Sequence, residues 1–393
     1  MTRRAALTLF LTTSFLAADE GGRAPETRWN HARGPASCSG MSDAEPPESF
    51  GRIVWTHKSK GGIRSTPVVW DGAVFVVDGT DARTELLALD AEKGEVWART
   101  AVRQPGQPTV YSRSVILVEG GTTLVQIRLA GRAFLREWTY DAGAGVSAPR
   151  VLDGEIYVTT PRALLSLRAG LSQPAWKVDG TFTGDPAVRG DHVYALRRDG
   201  AKLVLSAYAR ADGKEVTSVA LGERAGTGGR IAVGNHIAAV LLPPEQDRTW
   251  TVLSRKAADG ALELTVARTE KLLTDPLAVE HTMIALAAEP KAWTQYYTEE
   301  KQARLPRVAA ADRPELFESP VAPIWLGEAC QCYGDWCGDV ISNIIFWHAR
   351  ERPAGAVLRK GLRCNAVPVR SGLLLLVPAD GASILALAPE EVR

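Results

Sequence analysis

The chain has 393 residues, 45% hydrophobic and 23% charged, with 36 Gly, 23 Pro and 5 Cys. That composition is ordinary for a folded globular protein and excludes wholesale disorder, collagen and a multi-span membrane architecture. Its 46 Lys and Arg against 45 Asp and Glu leave a net charge of +1 with no long basic run, so no nucleic-acid partner is expected.

In chain order, Met1-Thr2-Arg3-Arg4 is a short basic start and Ala5 to Ala18 an apolar run. The run is too short to cross ~30 Å of hydrocarbon but suits the core of a secretory signal. Residues 1–18 are therefore read as a signal peptide and 19–50 as an N-terminal leader. A buried N-terminal strand or helix is the competing reading. Cleavage would remove Arg3 and Arg4 and take the formal charge from +1 to about −1. No cysteine follows the run, so a lipid anchor is not expected, and no later run has the length of a transmembrane helix. The expected destination is the periplasm or the extracellular space.

From residue 51 onward the chain repeats. Pro67-Val68-Val69-Trp70-Asp71-Gly72-Ala73-Val74-Phe75-Val76-Val77 sets two apolar runs around Asp-Gly, a hairpin signal because both central positions tolerate positive φ. Similar turns recur at Asp153-Gly154, Gly190-Asp191, Gly234-Asn235 and Ser371-Gly372. Units start at Pro67, Pro108, Pro149, Pro186, Arg230, Pro276, Pro320 and Val367, with spacings of 41, 41, 37, 44, 46, 44 and 47. That period is the length of a four-stranded propeller blade. Six of the eight units open on Pro, which costs no ladder donor at a strand's first residue. Trp55, Trp97, Trp138 and Trp176 recur in step with the starts.

The last unit has room for three strands, and Arg52-Ile53-Val54-Trp55-Thr56 reads as a fourth strand with nothing before it. The predicted fold is an all-β, eight-bladed β-propeller of four-stranded blades over 51–393, its ring closed by that N-terminal strand. Inserted loops are expected around 290–318 and 324–343.

Ala88-Leu89-Asp90-Ala91-Glu92-Lys93-Gly94-Glu95-Val96-Trp97 resembles the tryptophan-docking pattern A-x-D-x-x-x-G-x-x-W of quinoprotein-type propellers. Pro-Val-Val-x-Asp-Gly is similar to the opening of the same repeat, called PQQ-like. Trp29-Asn30-His31-Ala32-Arg33-Gly34-Pro35 resembles the leader before the first blade in many secreted bacterial members. The likeness spans roughly residues 29–393. The family implies two branches: pyrroloquinoline quinone dehydrogenases, with adjacent cysteines over the cofactor, a calcium site and a catalytic Asp, and propellers without cofactor. This chain has no Cys-Cys pair, and Asp90, Asp153, Asp191 and Asp212 fall at repeat turns, where turn geometry accounts for them. The expectation is the non-enzymatic branch, with no catalytic, cofactor or metal residue carried over. The resemblance extends to the propeller lipoprotein of the outer-membrane assembly machinery.

The unit opening at Pro320 departs most from the repeat. Cys330, Cys332 and Cys337 cluster there with Tyr333 and Trp336, and Cys364 follows. In an exported chain these four are disulfide candidates, and Cys38 is the odd thiol. A zinc site with His348 or Cys364 competes, although C-x-C-x₄-C departs from usual zinc spacings. Tyr333, Trp336, Trp293, Tyr296 and Tyr297 are candidate binding-loop residues. The expected function is an exported, monomeric, non-enzymatic binding or scaffold module for a protein, peptide or glycan. A PQQ-dependent oxidoreductase and an outer-membrane protein assembly scaffold are the alternatives.

Overall fold

The structure, a computed structural model, describes residues 52–143 and 145–223 continuously. Outside them it describes His31, Met41–Ser42, and the strands and some turn residues between 229 and 388. Among the described residues every regular element is a β-strand, and the strands form seven four-stranded sheets and one two-stranded pair. Six sheets use four consecutive strands each, as in Val68–Trp70, Ala73–Gly79, Thr84–Asp90 and Val96–Val102. The last combines Cys364–Arg370, Leu373–Pro378 and Ser383–Ala388 with Arg52–Lys58, which pairs antiparallel with Ser383–Ala388. The segment expected to complete the last unit is thus its fourth strand. No helix among the described residues is long and apolar enough to cross a membrane.

Local chemistry explains the hairpins. Asp71 and Gly72 have φ of 47° and 74°, and Asp153 and Gly154 have 51° and 79°, the mirror-image turn that matches strand twist. The second sheet makes the same turn with Ser112 and Arg113, at 47° and 62°. Neither residue signals positive φ, so the sequence pattern missed it. Gly234-Asn235 and Ser371-Gly372 are not fully within the described residues.

Pro67, Pro108 and Pro149 each stand immediately before the first strand of a sheet. Pro186 does not: it lies inside Thr181–Arg189, at the irregularity between Thr183 and Ala187 where no ladder donor is needed. The fourth unit therefore begins at Thr181. The last sheet likewise begins at Cys364, ahead of Val367, with Cys364 opposite Pro378.

A larger correction concerns the sixth sheet. Lys291–Tyr297 is its third strand, with Trp293 opposite Leu286, Tyr296 opposite Met283 and Tyr297 opposite Thr282. Ala303–Arg304 pairs with that strand as the fourth. The start of the expected 290–318 loop is therefore sheet, and Trp293, Tyr296 and Tyr297 are strand residues rather than loop residues. A polar run after the aromatics had the composition of a surface excursion. Trp325–Leu326, near the expected start of the seventh unit, pairs in parallel with Met41–Ser42 of the leader. Otherwise the expected 324–343 insertion lies outside the described residues.

The cores sit between sheets. Val68, Phe75, Val77 and Leu86 of the first sheet pack on Val110, Val115 and Leu117 of the second. Ile116, Val118 and Leu124 of the second pack on Val151, Ile156 and Val158 of the third. Third meets fourth through Tyr157, Leu164, Val193 and Tyr208, and fourth meets fifth through Leu196, Leu205, Ile231 and Val240. Val69, Val74 and Leu89 of the first sheet share a core with Val367, Leu375 and Leu385 of the last. The first four sheets are each covered on both faces, which is why Ala73–Gly79 is apolar without alternation. Each fully buried Val, Leu or Phe contributes about 1.5–3 kcal/mol by leaving water.

First strands of consecutive sheets lie against one another, so they form the inner rim, and the fourth strands lie outside. Trp55, Trp97, Trp138 and Trp176 all sit on fourth strands. Trp55 Nε1 donates to Ala91 O (2.9 Å), Trp138 Nε1 to Leu171 O (3.0 Å) and Trp176 Nε1 to Arg210 O (2.7 Å), each on the next sheet. Gly94 and Gly213, at φ 70° and 73°, lie beneath two of these rings. A Cβ at Gly94 would come within 2.6 Å of Trp55, and one at Gly213 within 2.7 Å of Trp176. Register breaks in the fourth strands fall at Val54, Trp97, Glu137 and Val216, where one extra residue is accommodated.

Candidate functional site

The inner rim is stitched from sheet to sheet by residues at the unit starts. Gln107 Oε1 accepts from Thr66 N (3.0 Å) while its Nε2 donates to Thr66 O (2.8 Å). Thr109 Oγ1 donates to Pro149 O (2.7 Å), and Asp185 Oδ1 accepts from Ala148 N (2.9 Å). At the third sheet the rim changes character. Arg150 is only 4% exposed; its Nε donates to Pro186 O (3.1 Å) and its Nη2 to Asp185 Oδ2 (3.2 Å). Its Nη1 is buried without a hydrogen-bond partner. On the free edge of the same strand, Val151 N donates to Nε2 of the wholly buried leader residue His31 (2.8 Å).

Outside the rim, the seams between sheets carry the charged groups. Between third and fourth sheets, Arg210 donates to Gly190 O (3.0 Å), Asp153 Oδ2 (3.0 Å) and the Tyr157 hydroxyl (3.1 Å). Tyr157 donates in turn to Glu155, which also accepts from Arg168 Nη2 (2.8 Å). Burial pushes the Tyr157 phenol above its ordinary range, and its bond to Glu155 adds to that. Burial alone would raise the Glu155 carboxyl; the hydrogen bonds from Tyr157 and Arg168 outweigh it and hold the group below its ordinary value. Between first and second sheets, Asp71 Oδ2 accepts from Arg113 Nε (2.9 Å). Asp71 and Asp153 thus serve twice, as hairpin residues and as ion-pair partners of the next sheet.

Where the last sheet meets the first, Ser59, Asp78 and His57 come together. Ser59 Oγ donates to Asp78 Oδ1, and His57 Nε2 lies 3.3 Å from Asp78 Oδ2. The three residue types are those of a hydrolytic triad, but the order is different. The carboxylate occupies the centre, and the serine oxygen accepts from the Gly61 and Gly62 amides instead of facing the imidazole. The serine proton is directed at the Asp78 carboxylate and the imidazole does not face it, so the described geometry ties a turn and is not that of a hydrolytic triad.

Cys330, Cys332, Cys337, Tyr333 and Trp336 lie outside the described residues. Cys364 opens the first strand of the last sheet. Trp293, Tyr296 and Tyr297 share a strand of the sixth sheet. The repeat aspartates are committed to local structure: Asp90 Oδ1 accepts from Glu92 N (2.7 Å) and Lys93 N (3.0 Å), and Asp212 Oδ1 from Lys214 N (3.1 Å). With Asp153 held by Arg210, and with no two of the five cysteines adjacent, these residues do not fit a calcium-bound pyrroloquinoline quinone. The pattern reading missed His31, Arg150 and Arg210. Their partners stand 120, 35 and 57 residues away in sequence, and no local motif marks such pairs.

Residues 48–199 match a family model described as outer membrane protein assembly factor BamB. No curated protein sequence matches the chain. Among solved structures, BamB from Moraxella catarrhalis aligns with 13% identity over 89% of this chain and 97% of that one, at a TM-score of 0.51. The computationally designed Ika8 protein aligns with 10% identity over 86% of this chain and all of that one, at 0.52. At these identities both are likenesses of fold.

Proposed function

The chain is a PQQ-like β-propeller repeat protein, and on that premise we propose that it is an exported, non-enzymatic scaffold that binds a protein partner in outer-membrane protein assembly. The observation that carries the reading is the match of residues 48–199 to the assembly-factor model. The way the described charged groups are committed supports it. Arginines and carboxylates tie one sheet to the next, which makes a rigid support and leaves partner recognition to the faces and loops. The ring is proposed to have eight blades, closed by Arg52–Lys58. The proposed bridges are two disulfides among Cys330, Cys332, Cys337 and Cys364, bracing a binding surface that includes Tyr333 and Trp336.

The test is cross-linking and affinity purification of the mature chain from its native cells. Recovery of the outer-membrane assembly barrel supports the proposal; reproducible recovery of a periplasmic enzyme or a glycan without the barrel would refute it. Mass mapping of the non-reduced protein addresses the disulfides separately. Four free thiols would remove them without touching the scaffold reading.

A further inference from the structure

Polar atoms without partners gather in the seam between the third and fourth sheets. Arg150 Nη1, Ser166 Oγ, Arg197 Nε, Ser206 Oγ and the Tyr208 hydroxyl are buried and have no hydrogen-bond partner. Register shows that all five face this seam. On the third sheet Arg150 stands opposite Tyr157, Tyr157 opposite Ser166, and Tyr157 packs in the core shared with the fourth sheet. On the fourth sheet Tyr208 stands opposite Val193, Ser206 opposite Ala195, and Arg197 opposite Phe182. Tyr208, Val193, Ala195 and Phe182 belong to that same core. Among the described residues neither the first–second nor the second–third seam holds such an atom.

We propose that this seam holds an ordered water bound by Ser206 Oγ, the Tyr208 hydroxyl and Arg197 Nε, with Ser166 Oγ facing it from the third sheet. Ser166, Ser206 and Tyr208 are all 0% exposed, so bulk solvent does not satisfy them. Ser206 and Tyr208 lie two residues apart on one strand face, near enough to influence each other but not aligned for a direct bond. Burial raises the Tyr208 phenol above its ordinary range, and the nearby Ser206 hydroxyl and Arg197 charge pull against that rise. Three or four polar partners are what a buried water takes. It can accept from Arg197 Nε and Tyr208 and donate to the serine oxygens. Other ligands match the groups less well. Glu215 already neutralises Arg197 through Nη2 (3.2 Å), so an anion would bring an unbalanced charge into the core. A metal cation would face the Arg197 N–H, and an apolar molecule would leave every group unpaired.

A crystal structure of the full mature chain, with a second crystal soaked in bromide, reads the site directly. The expected result is a water about 2.7–3.2 Å from at least two of Ser206 Oγ, the Tyr208 hydroxyl and Arg197 Nε. A direct Ser206–Tyr208 bond, no density between these groups, or an anomalous bromide peak there would each overturn the proposal. Urea unfolding of Tyr208→Phe, Ser206→Ala and the double variant reads the same site by the sign of the effect. Removing a hydroxyl that holds a water should lower the folding equilibrium constant about ten-fold, and the double variant should lose less than the product of the two. Removing a dry, unpaired hydroxyl should instead stabilise. An unchanged or raised constant in either single variant, or losses that simply multiply, would also overturn it.

Discussion

Where the last sheet meets the first, Trp55 covers Gly94; where the third meets the fourth, Trp176 covers Gly213. The same apolar lock is used twice, but the polar groups beside it differ. One seam has a compact Ser59–Asp78–His57 cluster, and the other a chain through Arg210, Tyr157, Glu155 and Arg168. The repeat dictates the lock because Trp and Gly recur at fixed spacing. The polar groups are particular to each pair of sheets.

The largest effect should come from removing the lock. Trp55→Ala is expected to cost about 4–5 kcal/mol in urea unfolding, and Trp176→Ala about 3 kcal/mol because Trp176 is only partly buried. Equal, small losses would mean that the seams do not depend on these rings. Gly94→Ala and Gly213→Ala combine positive φ with a Cβ inside the indole's space and should each cost about 2–4 kcal/mol. A similar cost at Gly72, where a Cβ meets nothing within 4 Å, would show that backbone strain alone accounts for the loss.

Arg210→Ala should separate the two seams. It removes the donor to the Tyr157 hydroxyl and to Asp153 and is expected to cost about 2–3 kcal/mol. The third–fourth seam should also be the acid-sensitive one through Glu155. Its folded carboxyl lies below the ordinary 4.5, so its contribution is present above that value and is lost as pH falls through the lower folded value. Glu155→Gln should flatten the fall in urea midpoint between neutral pH and the acid range. Asp71→Asn, at an exposed pair with Arg113, should cost less than about 1 kcal/mol.

The apolar half of this comparison was legible in the sequence. Asp71-Gly72, Pro67 and the A-x-D-x-x-x-G-x-x-W run mark turn, strand start and lock within a single repeat, between Pro67 and Trp97. The polar half was not legible, because Arg210 and Asp153 are far apart in the chain and meet only after two sheets have packed. The Ser112-Arg113 turn was missed for a different reason. Tertiary pairing forces positive φ on residues that do not favour it, and nothing local announces that. Trp293, Tyr296 and Tyr297 show the opposite error, in which composition suggested a loop where cross-strand pairing made a strand.

The register breaks at Val54, Trp97, Glu137 and Val216 have a consequence beyond the fold. Each fourth strand would otherwise offer a straight row of free amides and carbonyls at the perimeter, a template for a strand from another molecule. Val54 and Val216 are 37% and 45% exposed, so these edges also display apolar side chains. Inserting one residue bends the edge and interrupts its ladder, so a second chain cannot zip along it in register. The bends at Val54, Trp97 and Glu137 lie at or beside docking tryptophans, so these three strands carry both the lock and the protection against self-templating.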